Sequence, residues 1–272
     1  MAQEPATADI APDLSQIETD TEDAGPLLTI PPECWPNVDH LVTEDDTPVD
    51  SIFAEKQQRL LVDSLYASWT GPGAGRSFVA MSNVGLFYSV NESALVPDVL
   101  VSLDVSLPEN PHIKAHRSYF VWLYGKPPEL VIEDVSNKIG RELDYKLQMY
   151  ARIGISYYAV FDSDHYIQEK TLQLYERHPA GYVPVDTLWM EALNLGLTVW
   201  EGDYEGMQTE WLRWCDRDGN LLLTGGERAR RAEQQAKEER TRAEAAEQTA
   251  EQQRLRAERL AARLREMGIE EA

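Results

Sequence analysis

From residue 52 the apolar positions recur at helical spacing. Phe53, Leu60, Leu61 and Leu65, with the small Ser64 beside them, fall on one face, which predicts an amphipathic helix over 52–68. The glycine-rich run from Gly71 to Gly75 stops it. The period then shortens, and strand-like apolar runs follow at 84–90, 95–101, 129–135, 157–161, 171–175 and 182–185. Between the third and fourth of these, a helix is expected over 141–153. Its apolar stripe is Leu143, Leu147, Tyr150 and Ile153, and Gly154 ends it as a left-handed C-terminal residue would. Strand, helix, strand in quick succession makes a βαβ-like unit, and the last strands read as a meander. The expected fold is α/β, with a mixed β-sheet flanked by helices.

The ends of the chain read differently. Residues 1–30 are rich in Ala, Pro, Asp, Glu and Thr and read as a disordered acidic leader. Pro31-Pro32 and Trp35-Pro36 begin a more ordered stretch, and 43–50 is again acidic and loop-like. From 226 to 267 a seven-residue period holds. Ala229, Ala236, Ala243, Ala250, Ala257 and Leu264 occupy heptad position a, and Ala232, Glu239, Ala246, Gln253, Leu260 and Met267 occupy position d. This predicts a long C-terminal helix or coiled coil. Its alanine seam buries little area, so homo-oligomer formation through it should be weak, with Leu260, Leu264 and Met267 supplying the apolar grip. A solvated single helix is the plain alternative. The organisation is therefore an acidic leader (1–50), an α/β domain (51–225) and a Glu/Arg/Ala-rich helix (226–272).

Charge sharpens this division. The net charge of −22 comprises −13 from the first fifty residues, zero from 226 onward, and −9 from the domain between. No basic footprint of the kind that drives salt-dependent nucleic-acid binding is present. Only a small mouth of bases, Lys114, His116, Arg117, Lys126, Lys138 and Arg141, could offset the acidic domain. No apolar run approaches the ~18 residues of a membrane span, so no membrane partner is expected. The first fifty residues lack any Lys or Arg, as a secretory signal would not. With only Cys34 and Cys215, a reducing cytoplasm is the simplest compartment.

Candidate chemistry lies in 95–162. Asp98 and Glu133 each interrupt an apolar run. An acid there costs several kcal/mol to bury unless it is paired or holds a metal. Two such acids on neighbouring strands suit Mg²⁺, which binds through one or two carboxylates and keeps several waters. Such an ion lowers the pKa of a bound water and neutralises charge at a phosphodiester. Lys146, three residues after Leu143 and four before Tyr150, lies on the inward stripe of its helix and could orient a water or stabilise a phosphate oxygen. The alternative is an ordinary ion pair with Glu142 one turn earlier. Other features have simpler readings: Asp162 starts a turn, the 71–77 run is a connector lacking the spacing of a phosphate loop, and Asp216 to Asn220 is a hairpin turn rather than a calcium loop. His112 and His116 could share a metal only on a helix, which Pro111 opposes.

In order, Pro97-Asp98, then Glu129 to Ser136, then Lys146 to Gly154, then Tyr157 to Asp162 resemble the Uma2 (DUF820) family, abundant in cyanobacteria. That family is a branch of the PD-(D/E)XK restriction endonuclease-like superfamily. The likeness spans about 52–200, and the Asp218-Gly219 hairpin leading into a Glu/Arg/Ala-rich helix is also similar to cyanobacterial members. The resemblance implies a restriction endonuclease-like core in which Asp98 and Glu133 hold Mg²⁺ (Mn²⁺ can substitute), joined by the backbone carbonyl of Asp134. The superfamily lysine belongs two residues after the second acid, where this chain has Val135. In Uma2-like proteins it has moved to the following helix, which makes it Lys146. Glu55 would be an extra acid on the first helix. Ser136 would bond a metal-bound water or simply cap a turn. The implied activity is a Mg²⁺-dependent endonuclease acting on DNA. A catalytically inactive nuclease fold serving as an interaction or assembly module is the alternative.

Overall fold

The computed structural model describes residues 32–43, 51–73, 75–110, 112–136 and 141–267. Most of the predicted leader, along with Pro111 and Lys138, lies outside the described residues. Within the leader, Val38 and Leu41 are buried against Phe87 and Phe120, so residues 32–43 pack on the domain that follows.

Helix α1 (Ile52–Ser68) has its predicted bounds. The Ser51 hydroxyl accepts from the Ala54 N–H at 3.0 Å, and the chain turns extended at Trp69. There follow β1 (Phe78–Ser82), β2 (Leu86–Phe87), β3 (Val99–Leu103), β4 (Tyr119–Phe120), a single turn α2 (Val121–Tyr124) and β5 (Leu130–Asp134). Next come a π-helical turn (Glu142–Lys146) running into α3 (Leu147–Ile153), then β6 (Tyr157–Phe161), β7 (Leu172–His178) and β8 (Gly181–Val185). The last described elements are β9 (Trp189–Met190), β10 (Leu195–Tyr204), β11 (Met207–Cys215) and α4 (Gly225–Glu266).

The main sheet has the order β1-β3-β5-β6-β7-β8. Only β5 and β6 run parallel, joined by the crossover through α3 as the βαβ reading expects, and the other neighbours are antiparallel. A three-stranded sheet, β11-β10-β9, and a parallel pair, β2 with β4, complete the described strands.

Alternation along the strands divides the core. Val99, Val101, Leu130, Ile132, Ala159 and Phe161 face α1, β11 and their Leu61, Leu65, Leu212 and Trp214. Leu100, Val131, Tyr158 and Val160 face the other way, onto Tyr150 of α3. Gln57 docks α1 on β11 as a strand partner would: its side-chain amide donates to the Leu212 carbonyl at 2.9 Å and accepts the Leu212 N–H at 2.9 Å.

Two strand expectations are corrected. The run 95–101 becomes β3, starting four residues later at Val99 and ending two later, because Pro97 has no N–H to give a ladder, while Leu95 pairs alone with Leu86. The run 84–90 shrinks to Leu86–Phe87. Strand β1 and the long hairpin of β10 and β11 go beyond the sequence reading. The Asp216 carboxylate accepts the N–H groups of Asp218 and Asn220, which makes this segment a hairpin turn. The connector reading of 71–77 also agrees with its position between α1 and β1. No described helix is long and apolar enough to cross a membrane, and the two cysteines are free, Cys34 exposed and Cys215 buried.

Helix α4 is seated firmly at its start. Thr224 and Glu227 form a reciprocal capping box. The fully buried Arg213 guanidinium donates to both Glu227 oxygens, at 3.0 and 2.8 Å, and to the Leu222 carbonyl. Beyond that turn the 42-residue helix has no buried residue.

Candidate active site

The antiparallel register of β3 on β5 sets Val99 opposite Ile132. One further step brings Asp98 beside Glu133 at the end of the sheet. Asp98 is partly buried, and Glu133 is 2% exposed. The Asp98 carboxylate accepts from the Gln58 amide at 2.7 Å through one oxygen and from the Asp134 main-chain N–H at 2.7 Å through the other. Glu133 accepts from the Tyr150 hydroxyl at 2.6 Å and from the Lys146 ammonium at 2.9 Å. Lys146 also reaches Glu142 at 3.2 Å, the ion pair one turn earlier that the sequence offered, while the same ammonium meets the buried Glu133.

The π turn explains how one lysine serves two acids. Arg141 enters in a left-handed conformation with φ 59°, and its carbonyl accepts the Lys146 N–H five residues on. This wider turn carries Glu142 and Lys146 onto one face above β5. Single π turns inside helices are frequent at functional sites.

Burial dominates the electrostatics. It pushes the Glu133 carboxyl up to about 8, against the pull of the Lys146 ammonium, and the nearby Asp98 adds to the rise. Burial likewise raises Asp98, opposed by the Asp134 N–H and by Lys146. For Lys146, burial pulls the ammonium down, but Glu133 and then Glu142 outweigh it and the net shift is upward. Lys146 therefore keeps its proton at neutral pH.

A divalent cation fits this donor set. Each Asp98 and Glu133 oxygen takes one protein donor, leaving a lone pair on each. Three acids surround one ammonium, and one oxygen of the buried Glu142 has no hydrogen-bond partner among the described residues. No group of three or more His, Cys, Asp or Glu among the described residues converges on a metal position. An oxygen-only set built on two carboxylates suits Mg²⁺ rather than Zn²⁺.

The remaining candidates make other contacts. Glu55 is half exposed and paired with Arg59 at 2.9 Å, and the α1 residue that does reach Asp98 is Gln58. Ser136, exposed, lines a cleft of about 530 Å³ together with Ser51, Phe53, Asp134, Asp164 and Tyr166. Asp162 takes the N–H groups of Tyr166, Ile167 and Gln168, so it shapes the loop bordering that cleft, as a turn residue. Of the expected mouth of bases, Lys138 lies outside the described residues, Arg141 opens the turn that carries Lys146 and pairs with Asp144, and two others bond main-chain carbonyls away from the acids. Lys126 bonds the Leu103 carbonyl at the opposite end of β3, and Lys114 bonds the Asp39 carbonyl.

Sequence reasoning missed Gln58, and Tyr150 appeared in it only as a stripe residue. The hint for Gln58 was an amide beside another amide on an otherwise apolar helix face. One docks the helix and the next enters the site.

The family model Uma2, described as "Putative restriction endonuclease", matches residues 45–202. No curated protein matches the chain.

Proposed function

The chain belongs to the Uma2 family of restriction endonuclease-like proteins, and on that premise we propose that it hydrolyses DNA phosphodiester bonds with a divalent cation held by Asp98 and Glu133. The six-stranded mixed sheet flanked by helices is the fold of that superfamily. The observation that carries the reading is the placement of two adjacent acids, desolvated at the sheet's end, beside a protonated Lys146.

Asp98, Glu133 and the main-chain carbonyl of Asp134 would hold the ion, Mg²⁺ or in its place Mn²⁺. Bound there, it supplies neutralisation of phosphate charge and activation of water. The Gln58 amide and the Tyr150 hydroxyl fix the orientation of the two carboxylates, as outer partners of metal ligands do. Lys146 is a donor and a positive charge for a phosphate oxygen or the attacking water. Ser136 sits at the cleft edge as an accessory hydroxyl. Hydrolysis consumes one water: a new P–O bond forms, a bridging P–O bond breaks, and a phosphomonoester and a free hydroxyl remain. The domain's charge of −9 makes the cation and Lys146 the principal counter-charges to DNA here.

A second reading, a nuclease fold kept as an interaction or assembly module, is favoured by one observation: every Asp98 and Glu133 oxygen already has a protein donor. Plasmid and single-stranded DNA incubated with Mg²⁺, Mn²⁺ or EDTA separate the two. Cleavage that needs the cation and falls about 10²- to 10³-fold in Lys146→Met supports the nuclease reading, since one transition-state donor contributes on that order. A wild-type protein that binds the cation and leaves every DNA intact supports the module.

A further inference from the structure

We propose that α4 pairs with α4 of a second copy of this chain as an antiparallel two-stranded coiled coil, in the register that sets Ala229 of one protomer against Leu260 of its partner. The inference is independent of the nuclease reading.

The helix is about 63 Å long at 1.5 Å per residue and leaves Leu255, Leu260, Leu264 and Met267 between 40% and 66% exposed. Its capped and ion-paired start fixes where it leaves the domain, and its heptad seam is turned to solvent throughout. The alanine layers bury little, so charge selects the partner, the direction and the register.

Direction follows from Glu239 and from the bodies the helix carries. A parallel pair would place Glu239 against the partner's Glu239 within the seam, two like charges partly desolvated together. The antiparallel pair places it against the partner's Ala250. A parallel pair would also hold two acidic bodies side by side, since the −22 of the chain resides before residue 226 and the tail is neutral. The antiparallel pair sets them roughly 60 Å apart along the helices, well beyond a Debye length of about 8 Å. The helix dipoles also oppose favourably.

Register follows from heptad position e, which faces its own kind across an antiparallel seam. Those residues are Glu233, Arg240, Glu247 and Arg254, alternating in sign. With Ala229 against Leu260, Glu233 meets Arg254 and Arg240 meets Glu247, each pair occurring twice by symmetry. A slip of one heptad in one direction sets Arg240 against Arg254 and Glu247 against itself. A slip in the other sets Glu233 against Glu247 and Arg240 against itself. Both slips convert attraction into repulsion.

The full chain in sedimentation equilibrium should be a dimer whose dissociation constant rises about tenfold in Arg254→Glu, two exposed pairs contributing together near 1.4 kcal/mol. The double variant Glu233→Arg/Arg254→Glu should restore the wild-type value. Restoration separates pairing between chains from the pairs Arg254 makes with Glu251 and Glu258 on its own helix. In a Cys34→Ser background, a mixture of Ala229→Cys and Leu260→Cys proteins should form the mixed disulfide on oxidation. A monomer at tens of micromolar, a disulfide between two Leu260→Cys chains, or a double variant as weak as the single one would overturn the proposal.

Discussion

Glu133→Gln is expected to lower metal-dependent DNA cleavage by at least about a thousandfold, several kcal/mol of transition-state stabilisation, while the protein stays folded. The two halves of this expectation have separate causes. Activity falls because an amide oxygen is a poor substitute for one of only two carboxylates available to the cation. The fold survives because the native carboxyl is itself held at a disadvantage, its pKa pushed up to about 8 by burial. The amide oxygen can still accept from the Tyr150 hydroxyl, and Lys146 retains Glu142. A change in stability within about 1 kcal/mol, read as a melting shift of a few degrees, is the expected balance. Asp98→Asn should behave alike and is a cleaner choice than alanine, which would strand the Gln58 amide and the Asp134 N–H. Loss of cleavage together with loss of folding would assign these acids to structure instead.

The largest stability effect is expected at a residue outside the assigned α/β domain. Glu227→Ala should destabilise that domain by about 3–5 kcal/mol, measured by denaturant titration, because it leaves the fully buried Arg213 guanidinium without its carboxylate. Loss of the capping box adds about 1 kcal/mol. Burial alone would raise the Glu227 carboxyl, but the Arg213 guanidinium more than reverses it, and the net shift is downward. Its contribution is therefore complete above the ordinary value of 4.5 and is lost as pH falls through the lower folded value. The wild type should lose stability over that acid range, and Glu227→Ala should be less sensitive there. A boundary drawn after residue 225 cuts this pair. A chain ending at Gly225 should melt with the variant, and one ending at Ala232 with the wild type.

What could be read from the sequence follows from what is local. Period placed α1 and the long α4 within a residue or two, and Gly154 placed the end of α3, because the apolar spacing, the heptads and the terminal glycine are each local signals. Strand β3 moved because a single Pro97 outweighed an apolar run. The pair Asp98 and Glu133 was legible as two acids out of place, and Lys146 as a base on an inward stripe. Their partners were not. Gln58 reaches Asp98 only through the docking of α1 by Gln57 on β11, 155 residues away. Arg213 finds its counter-ion on the next helix, and a π turn that lets Lys146 serve Glu133 and Glu142 together has no signature in apolar spacing. Glu55 is paired with Arg59, one turn on, a contact not weighed from the sequence.

The most direct measurement is a calorimetric titration of Mn²⁺ into the full-length wild type and into Asp98→Asn, with Glu55→Gln as the control on a residue outside the acid pair. Binding of the ion by the wild type and by Glu55→Gln, and its loss in Asp98→Asn, is the predicted result. Undiminished binding by Asp98→Asn, or none by the wild type, would contradict a metal centre at Asp98 and Glu133.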